Sequence, residues 1–363
     1  MTTAHINAIG TAVPPHDVHQ AFNGLVGHML TDRRSRAIYD RMARRSGIES
    51  RYSCVEAGIT AEGEVIDPER FYRTDDFPTT KRRMERYAQA APDLAMQAIE
   101  RLDPDIASRD ITHVIVASCT GFLAPGLDQI LIRRAGIAAS AERTLVGFMG
   151  CYAAVNALRL ARHTVRSEPD ARVLVVNVEL CTLHLQETQE VDKLLAMLLF
   201  SDGASAALVT AEAKGIALGD FRAAAIDGSQ DLITWHIGDH GFVMHLDGQV
   251  PIRIADALKH ERVRNDDAGL LRGHKTSDFD LWAVHAGGRS ILDAVEKGFE
   301  LPPEALHPSR SVLRRFGNMS SATLMFVLAD MLAQHGGSGT TQDGMAMAFG
   351  PGLAAETFRF AIA

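Results

Sequence analysis

The chain has 363 residues, a formal charge of −8, an apolar share of 46% and a charged share of 23%, the balance of an ordinary soluble globular protein. A negative balance without a basic tail argues against a nucleic-acid binder, and no uninterrupted apolar run approaches the roughly 18 residues a membrane span needs. This length accommodates one large domain or two fused halves with ample core.

The N-terminus, MTTAHINAIGTAVPP, lacks a basic stretch followed by an apolar one, so no secretory leader is expected. Residues 33–51, RRSRAIYDRMARRSGIESR, form the one local basic cluster, readable as a solvated helix face or as a phosphate site. Helices are predicted over 81–102, 151–166, 289–299 and 320–335, and strands over 111–118, 171–180, 204–211, 280–286 and 356–362. Their alternation favours an α/β fold. The loop 211–220 is the expected seam, dividing the chain into halves 1–215 and 216–363. Four cysteines (Cys54, Cys119, Cys151 and Cys181) have neither CxxC nor Cys/His ligand spacing. They read as reduced thiols of a cytoplasmic chain, with no disulfide frame and no metal site.

The halves carry matching features. A strand ends near Ser118 and another at His285, 167 residues on; Cys151 and Asn318 each follow a glycine at a helix start and are also 167 apart. FSDG (200–203) and FGPG (349–352) each precede a β run. Such repeats imply a duplicated unit, whose two-fold arrangement would bring the helix starts at 151 and 318 to one central cleft.

In GFMGCYAAVNALRLARH (147–163), Cys151 is either a small hydrophobe at the head of a core helix or a thiol held at a helix N-terminus, where unpaired N–H groups favour the thiolate. His285, before Ala-Gly-Gly, is structural or catalytic. Asn318, in FGNMSS, is a helix N-cap or an amide donor. A Cys/His/Asn trio suits a papain-type protease, but the local C-G-S-C-W context is missing. It also suits a decarboxylating Claisen condensation, in which Cys carries an acyl thioester while His and Asn donate to an enolate. A carboxylate in place of Asn would repel that enolate. A hydrolase nucleophile elbow is excluded, because Met149 and Ala153 stand where it needs glycines.

The text from about residue 113 onward, with GCYAAVNALRLARH, LLFSDGASAALV, LWAVHAGGRSILDAVE, FGNMSSATLMFVL and AFGPGLAAETF, resembles the type III polyketide synthases, the chalcone synthase-like branch of the thiolase-fold condensing enzymes. The resemblance implies a five-layered αβαβα fold of two duplicated halves and a cytoplasmic homodimer acting on acyl-CoA and malonyl-CoA without metal or redox cofactor. It implies Cys151 as acyl carrier, with His285 and Asn318 binding the thioester carbonyl and the enolate. Phe200 and Phe242 fall at gatekeeping positions between the CoA tunnel and the cavity, and Ser320 at a cavity-lining one. Arg41 and Arg45 match contacts to CoA phosphates, while a third such position is Ile38. LCTLHL puts His184 where plant enzymes carry a small Thr, Cys119 takes another cavity-lining position, and residues 233–235 look bulkier than the family's glycine. Ala124 replaces a Met that crosses the subunit boundary. The readings left as rivals are a β-ketoacyl synthase III-like enzyme making one condensation onto a carrier protein, and a degenerate acyl-CoA-binding scaffold.

Overall fold

The computed structural model describes residues 2–60, 65–73, 75–102, 110–337 and 339–363. The first part of the chain forms β1 (Ala4–Ala12), β2 (His16–Asp17), α1 (His19–Met29), α2 (Arg33–Arg45), β3 (Tyr52–Ser53), β4 (Gly58–Ile59), β5 (Val65–Ile66) and α3 (Thr80–Glu100). There follow β6 (His113–Ser118), α4 (Leu127–Ala135), β7 (Glu142–Gly147), α5 (Ala153–Ser167), β8 (Val173–Leu180), α6 (Val191–Leu199) and β9 (Asp202–Thr210). The remainder forms β10 (Ile216–Ala225), β11 (Ile233–Gly238), β12 (Gly241–Leu246), α7 (Val250–Val263), β13 (Leu281–Val284), α8 (Arg289–Phe299), α9 (His307–Phe316), α10 (Ala322–His335), β14 (Gln342–Gly350) and β15 (Ala354–Ile362). Among the described residues, no helix is long and apolar enough to cross a membrane.

Nine strands join in the order β13-β14-β15-β10-β1-β9-β8-β6-β7. On one side of the β1–β10 pairing, β6 runs parallel to β8, which pairs antiparallel with β9, and β9 with β1. On the other side, β13 runs parallel to β14, which pairs antiparallel with β15, and β15 with β10. The second set repeats the first with β7 left out, so the duplication read from residue spacing is a repeat of strand order.

The strands read as near-continuous apolar runs because both faces are covered. In β6, Ile115 and Ala117 join one core cluster while Val114 and Val116 join another. In β14, Ala346 and Ala348 face the first cluster and Met345 and Met347 a third. The shared cluster holds α5 and α10, so the two halves of the sheet bracket this helix pair. Helices α3 and α4 cover the outside of one half, α7 and α8 the outside of the other. These are five layers, α/β/α/β/α, with α5 and α10 at the centre.

Helix starts differ from those predicted. Residues 150–152 form a short 3₁₀ turn and α5 begins at Ala153, while α10 begins at Ala322. Gly150 at φ +75° and Ser320 at φ +47° cannot be helical, so each chain entry turns before its helix. The basic cluster also divides: most of the α2 arginines are exposed, but Arg51 is 1% exposed and sealed inside.

Candidate active site

Three elements bring Cys151, His285 and Asn318 to one cavity of about 910 Å³. Cys151 lies in the 3₁₀ turn ahead of α5, half-buried. His285 is the first residue past β13; its backbone N–H donates to the Met347 carbonyl at 2.8 Å, and its carbonyl accepts from Gly287 N at 2.9 Å. The chain enters α10 through Asn318, whose N–H donates to the Leu199 carbonyl at 2.8 Å while its carbonyl accepts from Ser201 N at 2.9 Å. This places it alongside Phe200 in a parallel bridge.

The three side chains are held differently. Asn318 Nδ2 donates to the Gly287 carbonyl at 3.1 Å, and Oδ1 accepts from Ser320 N at 2.9 Å. Asn318 is therefore not the cap of α10; that position belongs to Ser321. Neither ring nitrogen of His285 has a hydrogen-bond partner among the described residues, and burial pushes its pKa down to about 3. The imidazole is neutral, with one nitrogen free to donate and one to accept.

The thiol departs from expectation. The helix-terminus argument favours a thiolate, yet burial raises the Cys151 pKa to about 11, with the Glu179 charge adding to the rise and hydrogen bonds from Ser320 and Asn318 opposing it. Removing charge from water outweighs the dipole of a short turn. Ser320 Oγ donates to Cys151 Sγ at 3.7 Å and lies 3.3 Å from Cys119 Sγ. Burial thus favours the neutral form of both the thiol and the imidazole that line this cavity.

Glu179 was not anticipated. It is fully buried and accepts from Cys119 N at 3.0 Å, Thr120 Oγ1 at 2.8 Å and Ser321 Oγ. It ties the end of β8 to the start of α10, across the two halves. A lone carboxylate in the apolar strand VLVVNVEL was the available signal, since such a group survives burial only if fully hydrogen-bonded. Burial raises its pKa, and the hydrogen bonds it accepts oppose the rise.

Cys119, Phe200 and Ser320 line the cavity as expected, but Phe242 and His184 do not. β12 lines the cavity through Met244, His245 and Leu246; Met244 pairs across the hairpin with Trp235 of β11, whereas Phe242 pairs two positions further along, with Ile237. Phe242 is fully buried and stacks on His184, ring centroids 4.2 Å apart. His184 Nδ1 accepts from Phe242 N at 3.0 Å and Nε2 contacts the Thr120 carbonyl at 2.8 Å, which fixes the neutral tautomer; burial holds its pKa at about 3. Trp235 shields this pair from the cavity: its indole N–H donates to the Cys119 carbonyl at 2.9 Å and its ring meets His184 edge-on. The bulk expected near 233–235 is therefore real, and Trp235 supplies it.

At the mouth, Arg45 lines the cavity but Arg41 does not; the latter is exposed on α2. Arg289, at the start of α8, stands beside Arg45 and donates to its carbonyl at 3.3 Å. Nothing in its local sequence pointed to that partnership. Among the described residues, no group of three or more His, Cys, Asp or Glu could hold a metal ion.

Comparison with known proteins places this geometry in context. The family described as chalcone and stilbene synthases, N-terminal domain, matches residues 1–213, and its C-terminal domain counterpart matches residues 222–362. The alpha-pyrone synthesis polyketide synthase-like Pks18 of Mycobacterium tuberculosis is 30% identical over 99% of this chain and 92% of its own length. Bisdemethoxycurcumin synthase of Oryza sativa is 33% identical over 97% of this chain and 91% of its own. Among solved structures, PKS-I of the brown alga Ectocarpus siliculosus superposes with a TM-score of 0.85 at 29% identity, covering 100% of this chain and 99% of that one. The bacterial type III polyketide synthase 1,3,6,8-tetrahydroxynaphthalene synthase of Streptomyces coelicolor A3(2) gives 0.84 at 27% identity, covering 99% of each.

Proposed function

The chain belongs to the chalcone and stilbene synthase family of type III polyketide synthases, and on that premise we propose that Cys151, His285 and Asn318 carry a decarboxylative condensation of CoA thioesters. The observation that carries the reading is the meeting of all three residues, from three separate elements, on one large cavity.

The steps follow from the side chains. Cys151 attacks the carbonyl of an acyl-CoA while His285 takes the thiol proton in the same step, so that no free thiolate–imidazolium pair has to form first; the carbon–sulfur bond to CoA breaks, and CoA leaves with the proton. Malonyl-CoA then loses CO2, and the electron pair of the broken carbon–carbon bond becomes an enolate. Neutral donors, the His285 N–H and the Asn318 amide, stabilise the oxygen charge without repelling it. The enolate carbon attacks the acyl group on Cys151, whose sulfur departs and leaves a chain two carbons longer on CoA. Repetition and ring closure would release a pyrone, resorcinol or phloroglucinol-type product. This chemistry needs no cofactor beyond the thioesters themselves.

Phe200 and Met244, rather than Phe200 and Phe242, gate the cavity in this reading, with Ser320 and Cys119 on its wall and Arg45 at its mouth. His184 acts from behind, by holding Phe242 and Trp235 in place. Arg41 remains a candidate for CoA phosphates from the exposed face of α2. The halves divide at 1–215 and 216–363, as the repeated strand order supports.

The assembly is a homodimer in this reading. Strand β7 ends the sheet, and Leu145 on it is 53% exposed, with Phe122 nearby 48% exposed. Beside the exposed Glu142, Arg143 and Thr144, these two side chains leave an apolar spot on an unpaired sheet edge, which calls for cover. The four free thiols favour a reducing, cytoplasmic setting. Sedimentation of wild type against Leu145→Lys tests the dimer: an unchanged mass for the variant rejects β7 as its edge.

Incubation with a panel of acyl-CoAs plus malonyl-CoA, followed by intact mass and released products, tests the reaction. Acylation and turnover surviving in Cys151→Ala would sink it.

A further inference from the structure

Two walls of the cavity come from segments that carry none of the three reacting side chains. One is the turn 181–184, which presents Cys181; the other is the β11–β12 hairpin, which presents Trp235 and Met244. Neither belongs to the nine-stranded sheet, so another element must fix where they stand. The first turn of α3 does so, from outside the cavity.

Arg83 of α3 is fully buried and reaches three carbonyls. Its Nε donates to Pro78 at 2.8 Å, and its Nη1 donates to Leu183 at 2.5 Å and to Leu185 at 2.7 Å. No carboxylate pairs with it among the described residues. A buried cation without an anion is costly unless it is hydrogen-bonded, and the fixed fork of a guanidinium is suited to carbonyls of separate segments. Thr80, three residues earlier, holds the hairpin instead. Its N–H donates to the Asp239 carbonyl at 2.8 Å, and its hydroxyl donates to the Gly238 carbonyl while accepting from Gly241 N at 2.8 Å. Gly241 lies at φ +95°, and a Cβ there would fall 2.9 Å from Arg83. The hairpin tip therefore closes directly on the guanidinium.

The two walls are also tied to each other. Gln186 Nε2 donates to the carbonyls of His184 at 2.9 Å and His240 at 3.0 Å, and His184 Nδ1 accepts from Phe242 N. A displacement at α3 is thus passed along the hairpin to Trp235 and Met244. Cys151, His285 and Asn318 hang from other elements, and among the described residues Arg83 bonds to none of them.

We propose that Arg83, together with Thr80, is a positioning residue for chain extension, setting the turn 181–184 and the β11–β12 hairpin at the spacing within which the growing chain folds. The proposal rests on the condensing reading of the cavity and adds two residues that touch neither substrate nor reacting atoms. Loading of Cys151 and decarboxylation of malonyl-CoA need only the trio. Each further condensation also needs the lengthening chain to turn back inside the cavity, against Trp235 and Met244.

The test loosens each tie separately. Arg83→Met removes the buried cation at similar volume and leaves three carbonyls without their donor, while Thr80→Val releases the hairpin, which guards against one variant failing to fold. Thr80→Ser keeps the hydroxyl and should match the parent protein. All are made in a Trp282→Phe background, where Trp235 is the single remaining tryptophan of the two, so acrylamide quenching of its fluorescence reads the wall. Quenching should rise in Arg83→Met and Thr80→Val. With an acyl-CoA and malonyl-CoA, full-length product per CO2 released should fall about tenfold or more in favour of shorter products, while Cys151 acylation and CO2 release stay within about twofold. Unchanged quenching, an unchanged product pattern, acylation and CO2 release falling in parallel with product, or a Thr80→Ser as impaired as Thr80→Val rejects the positioning role and leaves the synthase reading intact. Raised quenching beside a parent protein that makes no malonyl-dependent product keeps the wall positioning and rejects the synthase reading instead.

Discussion

The entries to α5 and α10 use one backbone device for opposite ends. Gly150 and Gly317 both sit at positive φ, +75° and +69°, immediately before the functional residue. A Cβ at 150 would fall 2.4 Å from Pro351, and one at 317 would fall 3.0 Å from Arg51, so both turns exclude any other residue. Beyond the glycine they diverge. Cys151 is left half-buried, with a long hydrogen bond from Ser320 at 3.7 Å, whereas Asn318 is tied at both ends of its amide. In the proposed reaction, the first arrangement would keep an atom free to form a bond, and the second would fix a dipole that must not move when charge develops. Duplicated topology thus supplied two equivalent turns, and the side chains after them are held in unlike ways.

The comparison can be broken most severely at the thiol. Cys151→Ala should abolish both acyl adduct and product, read by intact mass and chromatography. Next in size is the thiol's pH response. With its pKa near 11, alkylation by iodoacetamide should climb about tenfold per pH unit from 7 to 10; a plateau near neutrality would mean that the dipole, not burial, governs. On the amide side, Asn318→Asp should cut malonyl-CoA decarboxylation by roughly 10²–10³ while Cys151 still acylates. Retained decarboxylation would make Asn318 a structural tie only.

The smallest effect separates the buried imidazoles. His184 and His285 have folded pKa values of about 3, below the roughly 6.5 of an unfolded histidine. Above that value both states are neutral and nothing is gained or lost. As pH falls from 6.5 toward 3, the unfolded chain binds protons that the folded chain refuses, so stability drops, by on the order of 1–2 kcal/mol per histidine at pH 5. His184→Gln should be less stable at pH 7, having lost its ties to Phe242 and Thr120, yet fall less between pH 7 and 5 in thermal unfolding. An equal fall in both proteins would assign the loss to other groups.

Much of the site was legible along the chain because the duplication left a numerical trace. Equal spacing of Cys151–Asn318 and Ser118–His285 follows from repeated strand order, and the family text carried their roles. Whether Phe242 lines the cavity was not legible, because a Phe beside a strand end looks the same whether it faces a cavity or a neighbouring ring. Only the β11–β12 register sets Met244 beside Trp235 and moves Phe242 two pairs outward. Glu179, Arg51 and Arg289 were passed over for a related reason: their meaning lies in partners 60, 149 and 244 positions away.

The sequence by itself determined the layered α/β fold and the repeat, and it singled out the thiol, imidazole and amide that meet at one cavity, since periodicity and composition act through near neighbours on the chain. Only the tertiary structure decided the burial that pushes the thiol pKa up and the cavity wall on which Trp235 and Met244 stand. Desolvation and cavity shape depend on which distant atoms exclude water from a point, and residue spacing does not encode that.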